Sequence, residues 1–78
     1  MALDPTHDQP RIVTDPSVRF GKSVIRGTRI CVDEVLGLLA SGLEKVAVAE
    51  EFGIALEDVH AALDHAAKSV ASERRFVE

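Results

Sequence analysis

The stretch Gly21–Gly42, GKSVIRGTRICVDEVLGLLASG, decides the fold. Its first half is β-branched and basic and turns at Arg26-Gly27. Its second half is a helix with a nearly continuous apolar face. Ser23–Ile25 and Thr28–Val32 read as two short extended runs joined by a tight hairpin, in which Gly27 supplies a backbone angle that other residues avoid. Strands this short are marginal alone and need a sheet partner or a helix to lie against. Asp33 is a good N-cap residue type and Glu34 suits a first helical turn. Val32, Val35, Leu36, Leu38 and Leu39 then fall at helical spacing, and Ser41-Gly42 closes the helix.

Upstream, Arg11–Thr14 has strand composition, Asp15-Pro16-Ser17 is a turn, and Val18–Phe20 is compatible with a further extended piece. Residues 1–10, with two prolines and no periodicity, read as a flexible arm. Downstream, a second helix over about Glu44–Phe52 is expected to turn Val46, Ala49 and Phe52 inward, with Val48 a further candidate. Gly53 breaks it. A third helix begins near Leu56 and carries Leu56, Val59, Leu63, Ala66, Ala67 and Val70 at three-four spacing. Asp64 and Lys68 form an i,i+4 pair on it. Ala55, at its N-cap position, has no side chain to accept an N–H bond, a loss of about 1 kcal/mol relative to Ser or Thr. The expected architecture is mainly α: a short N-terminal β-hairpin region, then a three-helix, helix-turn-helix-like bundle. It divides into an arm (1–10), one small domain (11–71) and a C-terminal tail (72–78).

At 78 residues the chain is close to the lower size limit for a self-sufficient core. With three Phe and no Trp or Tyr, that core must be aliphatic. A lone cysteine, Cys31, excludes an internal disulfide and reads as a small buried apolar residue. No signal-peptide pattern or membrane-length apolar run is visible, so the sequence reads as cytoplasmic. The formal charge of −4 is unevenly spread: residues 1–32 carry five cations and three carboxylates, residues 33–78 four cations and ten carboxylates. Such a division suggests two contact surfaces.

Catalysis is not expected. His60 and His65 point to different faces of one helix, and no further Cys or His completes a metal set. Neighbouring carboxylates such as Glu57-Asp58 diverge on a helix. "GKS" at 21–23 lacks the upstream glycine of a phosphate-binding loop. No catalytic, metal or cofactor residue is assigned.

Binding roles have more support. In a helix-turn-helix the second helix reads the bases, yet here it leads with Glu57 and Asp58 and has no cation before Lys68, a poor match to a polyanion. If DNA is bound, Arg19, Lys22, Arg26 and Arg29 are the candidates. The competing reading makes them a clamp, with Arg29 pairing to a carboxylate such as Glu34 or Glu51 and fixing the hairpin on the bundle. Ala62, Ala66, Ala67 and Val70 make a small-residue stripe suited to close helix approach, and a homodimer through helix three or through sheet edges would supply missing burial. In the tail, Arg74, Arg75, Phe76 and Val77 combine charge with an apolar anchor, a hot-spot composition.

Two segments together carry a family resemblance. "RIVTDPSVRFGKSVIRGTRICVDEVLGLLASG" followed by "FGIALEDVHAALDHAA" resembles the bacterial domain of unknown function 433, over about Arg11–Ala67. The resemblance implies a helix-turn-helix-like bundle with a small β element, dimeric, acting as the antitoxin half of a toxin–antitoxin pair whose toxin is a PIN-like nuclease. On the family pattern Asp15-Pro16 match the first turn, and Gly27-Thr28 with Arg29 the second. Ser23, Cys31 and Gly53 stand where the family commonly has Pro. Glu44 and Ala55 stand at its Ser/Thr caps and His65 at its Tyr, so helix starts are weakened more than the core. The function implied is binding and neutralising the toxin, with repression of its own operator DNA; the basic-apolar composition of the tail, outside the resemblance, makes Arg74, Arg75, Phe76 and Val77 the candidate toxin contacts. The alternatives are a stand-alone DNA-binding regulator and a small dimeric adaptor.

Overall fold

The structure is a computed structural model that describes residues 10–73. Two strands, β1 (Ile12–Thr14) and β2 (Ser23–Ile25), precede three helices, α1 (Val32–Ala40), α2 (Lys45–Phe52) and α3 (Leu56–Ser72). The mainly helical class with a small N-terminal hairpin is as the sequence implies. The strands pair antiparallel, Ile12 opposite Ile25 and Thr14 opposite Ser23. The turn at Gly27 is present, but the chain beyond it adds only one bridge, Val24 to Cys31, rather than a second full strand. β2 therefore takes its main partner from upstream, and the sheet lies against the bundle with β1 near α3 and β2 near α1.

Of Val18–Phe20, Val18 is extended, at φ −118° and ψ 119°, but Arg19 and Phe20 are not. Arg19, Phe20 and Gly21 have φ of 51°, 60° and 81°, a left-handed turn. It is closed by the Gly21 N–H donating to the Val18 carbonyl at 3.1 Å and the Lys22 N–H to the Arg19 carbonyl at 3.2 Å. For a bulky residue such as Phe20 this backbone is an outlier, with a penalty of roughly 1–2 kcal/mol.

The core is built from small and β-branched side chains. Val35, Val48, Val59 and Ala62 are fully buried, joined by Val32 and Ala49. Val24, Ile25 and Cys31 are buried beside the sheet. The leucines of α1 sit half-exposed at its margin. In α2 it is Val48, not Val46, that turns fully inward; Val46 is 55% exposed. One residue of slippage in a helix moves a side chain by about 100°, and the apolar VAVA run over 46–49 gave no polar marker to fix the phase. In α3, Val59 and Ala62 are buried, whereas Val70 is 62% exposed. The reason is length: α3 has 17 residues and α1 only 9, so the last turns of α3 run past their packing partner. Ala62 faces the chain's own core, which removes it from the outer stripe proposed for dimerisation.

α1 and α2 both end in the same way. The Leu43 N–H donates to the Leu38 carbonyl at 3.2 Å, and the Ile54 N–H to the Ala49 carbonyl at 3.0 Å, each with a left-handed glycine between. This is the Schellman arrangement, which satisfies carbonyls that would otherwise be orphaned at the helix end. Gly53, at φ 68°, makes the three-residue α2–α3 connection (53–55) compact enough for a helix-turn-helix.

Two glycine substitutions should therefore act with opposite sign. A Cβ at Gly53 or Gly37 meets nothing within 4 Å, so only backbone preference matters. Gly53→Ala forces a left-handed alanine and should lose about 1 kcal/mol, while Gly37→Ala, inside α1, should gain up to about 1 kcal/mol. Urea denaturation of the two variants checks both signs.

Candidate functional site

The basic N-terminal region meets the bundle at two helix starts. α1 begins one residue after Cys31, which is its N-cap in place of the expected Asp33. Asp33 falls in the first turn, and Glu34 reaches back so that its Oε1 accepts the Cys31 N–H at 2.8 Å. α3 repeats the device: Asp58 Oδ2 accepts the Ala55 N–H at 3.1 Å. Ala55 supplies no cap of its own, but the carboxylate three residues on satisfies its amide, half of a capping box.

Each of these carboxylates also receives an arginine from the β region. The Arg11 guanidinium donates to Asp58 Oδ1 at 2.9 Å, with the Asp58 side chain only 15% exposed. Arg19 Nη1 lies 3.3 Å from Glu34 Oε1 and donates to the Arg29 carbonyl at 2.9 Å. Lys22 adds a third link, its ammonium 2.9 Å from Asp33 Oδ2. The partner of Glu34 is thus Arg19 and not Arg29. The reason is the left-handed turn, which swings Arg19 back toward α1. Arg29 contributes its carbonyl to this network, and its exposed side chain makes no ion pair among the described residues. Arg26 donates to the Pro10 carbonyl at 2.5 Å.

Two turns hold this region in shape. Asp15 Oδ1 accepts both the Ser17 N–H at 2.9 Å and the Ser17 hydroxyl at 2.7 Å. Pro16 occupies the position after it, where a fixed φ favours the turn. At the second turn the Thr28 N–H and hydroxyl both donate to the Ile25 carbonyl, and the Thr28 oxygen accepts the Ile30 N–H at 3.0 Å. Gly27, at φ 82°, is the third residue of this four-residue turn, where type II geometry demands a left-handed backbone.

Outside the clamp the surface is apolar in two places. Phe20 is 100% exposed at the crest of the left-handed turn. Two residues on, Lys22 and its partner Asp33 border a groove of about 340 Å³ that includes Leu36, Ala66 and Val70. A second groove, about 470 Å³, lies where α1, α2 and α3 meet and is lined by Leu39, Leu43, Val46 and Leu56 beside Glu44 and Lys45. The sequence reading placed Leu56 on an inward face and Ala66 and Val70 in an outer stripe, but it singled out neither groove and gave no role to Phe20 or Leu43. Phe20 carried one signal, an aromatic caught between a turn and a glycine with no periodic partner. Leu43 and Leu56 each stand one or two residues outside a helix boundary or at its first position, where periodicity says nothing about facing. His60 is exposed, His65 is half-buried, and Cys31 is buried. Among the described residues no three His, Cys, Asp or Glu side chains are grouped to hold a metal, and no helix is long and apolar enough to cross a membrane. Arg74, Arg75, Phe76 and Val77 lie outside the described residues.

The family model for "Protein of unknown function (DUF433)" matches residues 12–66. The chain belongs to the DUF433 family. The matched span runs from β1 into α3 and so contains both arginine-bound helix starts. A solved structure similar to this DUF433 chain is the X-ray crystal structure of Rv2018 from Mycobacterium tuberculosis, at 32% identity and a TM-score of 0.64. The similarity covers 76% of this chain and 28% of that one, so the present chain corresponds to less than a third of the longer protein. No curated protein matches the chain.

The clamp makes a pH prediction. Hydrogen bonds from the Ser17 amide and then its hydroxyl lower the Asp15 pKa below its ordinary 3.8. The Lys22 hydrogen bond does the same for Asp33. A carboxyl whose folded pKa is lowered binds fewer protons when folded, so its contribution is complete above 3.8 and disappears as pH falls through the lowered folded value. NMR titration should therefore give both carboxyls midpoints below 3.8, with the Asp33 midpoint moving up in Lys22→Met and the Asp15 midpoint unmoved.

Proposed function

We propose that this DUF433 chain is the antitoxin-like member of a toxin–antitoxin pair and neutralises a PIN-like nuclease by direct binding. The observation that carries the reading is the surface of the helix-turn-helix. The second helix of such a motif must face a polyanion if it is to read DNA. Here Glu57, His60 and Asp64 are exposed along the leading half of α3, with Glu44, Glu50 and Glu51 exposed on and before α2. Phosphate attraction dominates nucleic-acid affinity, and this face opposes it. Of these carboxylates Glu44 lines the uncovered groove of Leu39, Leu43, Val46 and Leu56, with Lys45 beside it, and Glu57 follows Leu56 in the chain. An apolar groove on a helical surface whose exposed charges are mostly acidic suits a protein whose own surface is cationic, as the substrate face of a ribonuclease must be. The chain then acts by occupying that face, with the tail residues Arg74, Arg75, Phe76 and Val77 adding a second contact near the metal-binding carboxylates of the toxin.

Regulation of the operator is assigned to the Gly27 turn of the β region. Arg29 has no ion-pair partner among the described residues and stands beside the Gly27 turn, where it can contact phosphate without breaking the clamp. Arg26 borders the same turn. Arg19 and Lys22 can contribute only by sharing charge with Glu34 and Asp33. This is the observation that favours the second reading, a stand-alone DNA-binding regulator.

Co-purification with the product of a neighbouring nuclease gene, followed by an RNA-cleavage assay with and without this chain, tests the proposal. Inhibition at stoichiometric ratio is expected. The Leu56→Asp and Glu57→Lys variants should each weaken inhibition roughly tenfold or more. Undiminished cleavage, or inhibition indifferent to both variants, contradicts the assignment of this face. For DNA, Arg29→Gln should reduce the slope of log affinity against log salt by about 0.9 if that side chain meets a phosphate. Binding by the chain alone without any nuclease partner favours the regulator.

A further inference from the structure

We infer that the Arg19–Gly21 turn is a latch that polyanions open, releasing Arg19 and Lys22 from the bundle to bind phosphate groups. Closed, the turn holds two consecutive non-glycine residues, Arg19 and Phe20, at φ 51° and 60°. L-residues with side chains disfavour that backbone, and it persists only where the surroundings enforce it. The enforcement does not come from packing. No residue of the turn is buried and Phe20 is wholly exposed, so burial of the ring offsets none of the strain.

What holds the turn closed is polar and mostly electrostatic. Its two backbone hydrogen bonds, at 3.1 and 3.2 Å, are at the long end of the usual range. Among the described residues, three side-chain links tie it to the bundle and to the Gly27 turn: Arg19 to the Arg29 carbonyl at 2.9 Å, Arg19 to Glu34 at 3.3 Å, and Lys22 to Asp33 at 2.9 Å. Every side chain in these two ion pairs is partly exposed. Exposed pairs contribute little and are screened by salt. Strain and restraint are therefore of similar size, and a competitor for the cations decides which prevails.

The fold survives the opening. Glu34 Oε1 accepts the Cys31 N–H at 2.8 Å and the Arg19 guanidinium at 3.3 Å, so the helix start keeps the shorter bond when Arg19 leaves. β1 stays paired with β2, and Arg11 still binds Asp58. Val18 and Lys22, on either side of the turn, are already extended, so only the three residues between them change. Closed, Arg19 and Lys22 share their charge with Glu34 and Asp33; open, they join Arg29, whose exposed side chain makes no ion pair among the described residues. A chain of phosphates competes best for such a set, because each phosphate bound to a cation also releases counterions. The inference rests on the operator reading only for the identity of the polyanion. The latch answers to simple salt as well, so the two fail separately.

NMR of the full chain provides the test. A positive φ brings a residue's amide and α protons closer together than a negative φ does. Arg19 and Phe20 should therefore each give a strong intraresidue cross-peak at low salt. In about 1 M sodium chloride, where the screening length is about 3 Å, both peaks should fall by roughly half or more. Sodium tripolyphosphate should produce the same fall at a roughly tenfold lower ionic strength. Arg19→Met should show a weak Phe20 peak already at low salt. Phe20→Gly removes the strain at that position, so its Arg19 peak should stay strong at high salt and its urea midpoint should rise. Circular dichroism should show helix content unchanged throughout. Peaks indifferent to salt, to tripolyphosphate and to Arg19→Met, or a Phe20 already at negative φ in low salt, overturn the proposal. So does equal opening by the two salts at matched ionic strength, which is screening without phosphate binding. A turn that tripolyphosphate opens in a chain that binds no duplex DNA supports the latch and removes the operator reading.

Discussion

Everything in this small domain depends on two carboxylates that each do two things. Glu34 and Asp58 stand three residues into the chain from their N-caps, accept the N-cap amide, and receive an arginine from the β region. The first contact starts a helix whose N-cap residue, Cys31 or Ala55, is a poor one. The second fixes the hairpin on the bundle. Both charges sit where the positive end of a helix favours an anion, so the helix field and the arginine act in the same direction. Exposed ion pairs alone contribute little. Here the Asp58 side chain is largely covered and bound to a backbone amide as well, which restrains it before the arginine arrives.

That arrangement also explains the division of charge along the chain. The cations of residues 11–22 are mainly structural: Arg11, Arg19 and Lys22 all reach first-turn carboxylates. Of the two cations at the Gly27 turn, Arg26 donates to the Pro10 carbonyl and Arg29 is displaced from the ion-pair role by Arg19. The acidic majority of α2 and α3 has no such internal partner in bulk and gives the helical end its character. The exposed charges of α2 and the leading half of α3 are therefore mainly acidic, around a small valine-rich core.

Much of the fold was legible because its signals were local. Gly27, Gly42 and Gly53 marked turns, Asp15-Pro16-Ser17 marked another, and the 3.6-residue apolar period identified α1 and α3. What escaped had a physical cause in each case. The N-cap of α1 was misplaced because Asp33 is the better capping residue, yet the bridge from Cys31 to Val24 lets the helix begin earlier. The partner of Glu34 was misassigned because a left-handed phenylalanine is contrary to propensity, and without that turn Arg19 points elsewhere. Val46 and Val48 were confused because an unbroken apolar run carries no phase. The outward anchors, Phe20, Leu43 and Leu56, lie at element ends, where sequence period is silent and only tertiary packing decides exposure.

The chain belongs to the DUF433 family and is similar to part of a longer mycobacterial chain. A module so held together by its helix starts can keep its shape while its exposed edges take on partners. A double-mutant cycle on Arg11 and Asp58, followed by urea denaturation, tests that central claim most directly. With Arg11→Met, Asp58→Asn and the pair, the account predicts a favourable coupling of about 0.5–1 kcal/mol, together with faster amide exchange at Ala55 in both variants that lack Asp58. Strictly additive losses, with Ala55 exchange unaltered, would show that the arginine and the helix start are independent and would contradict it.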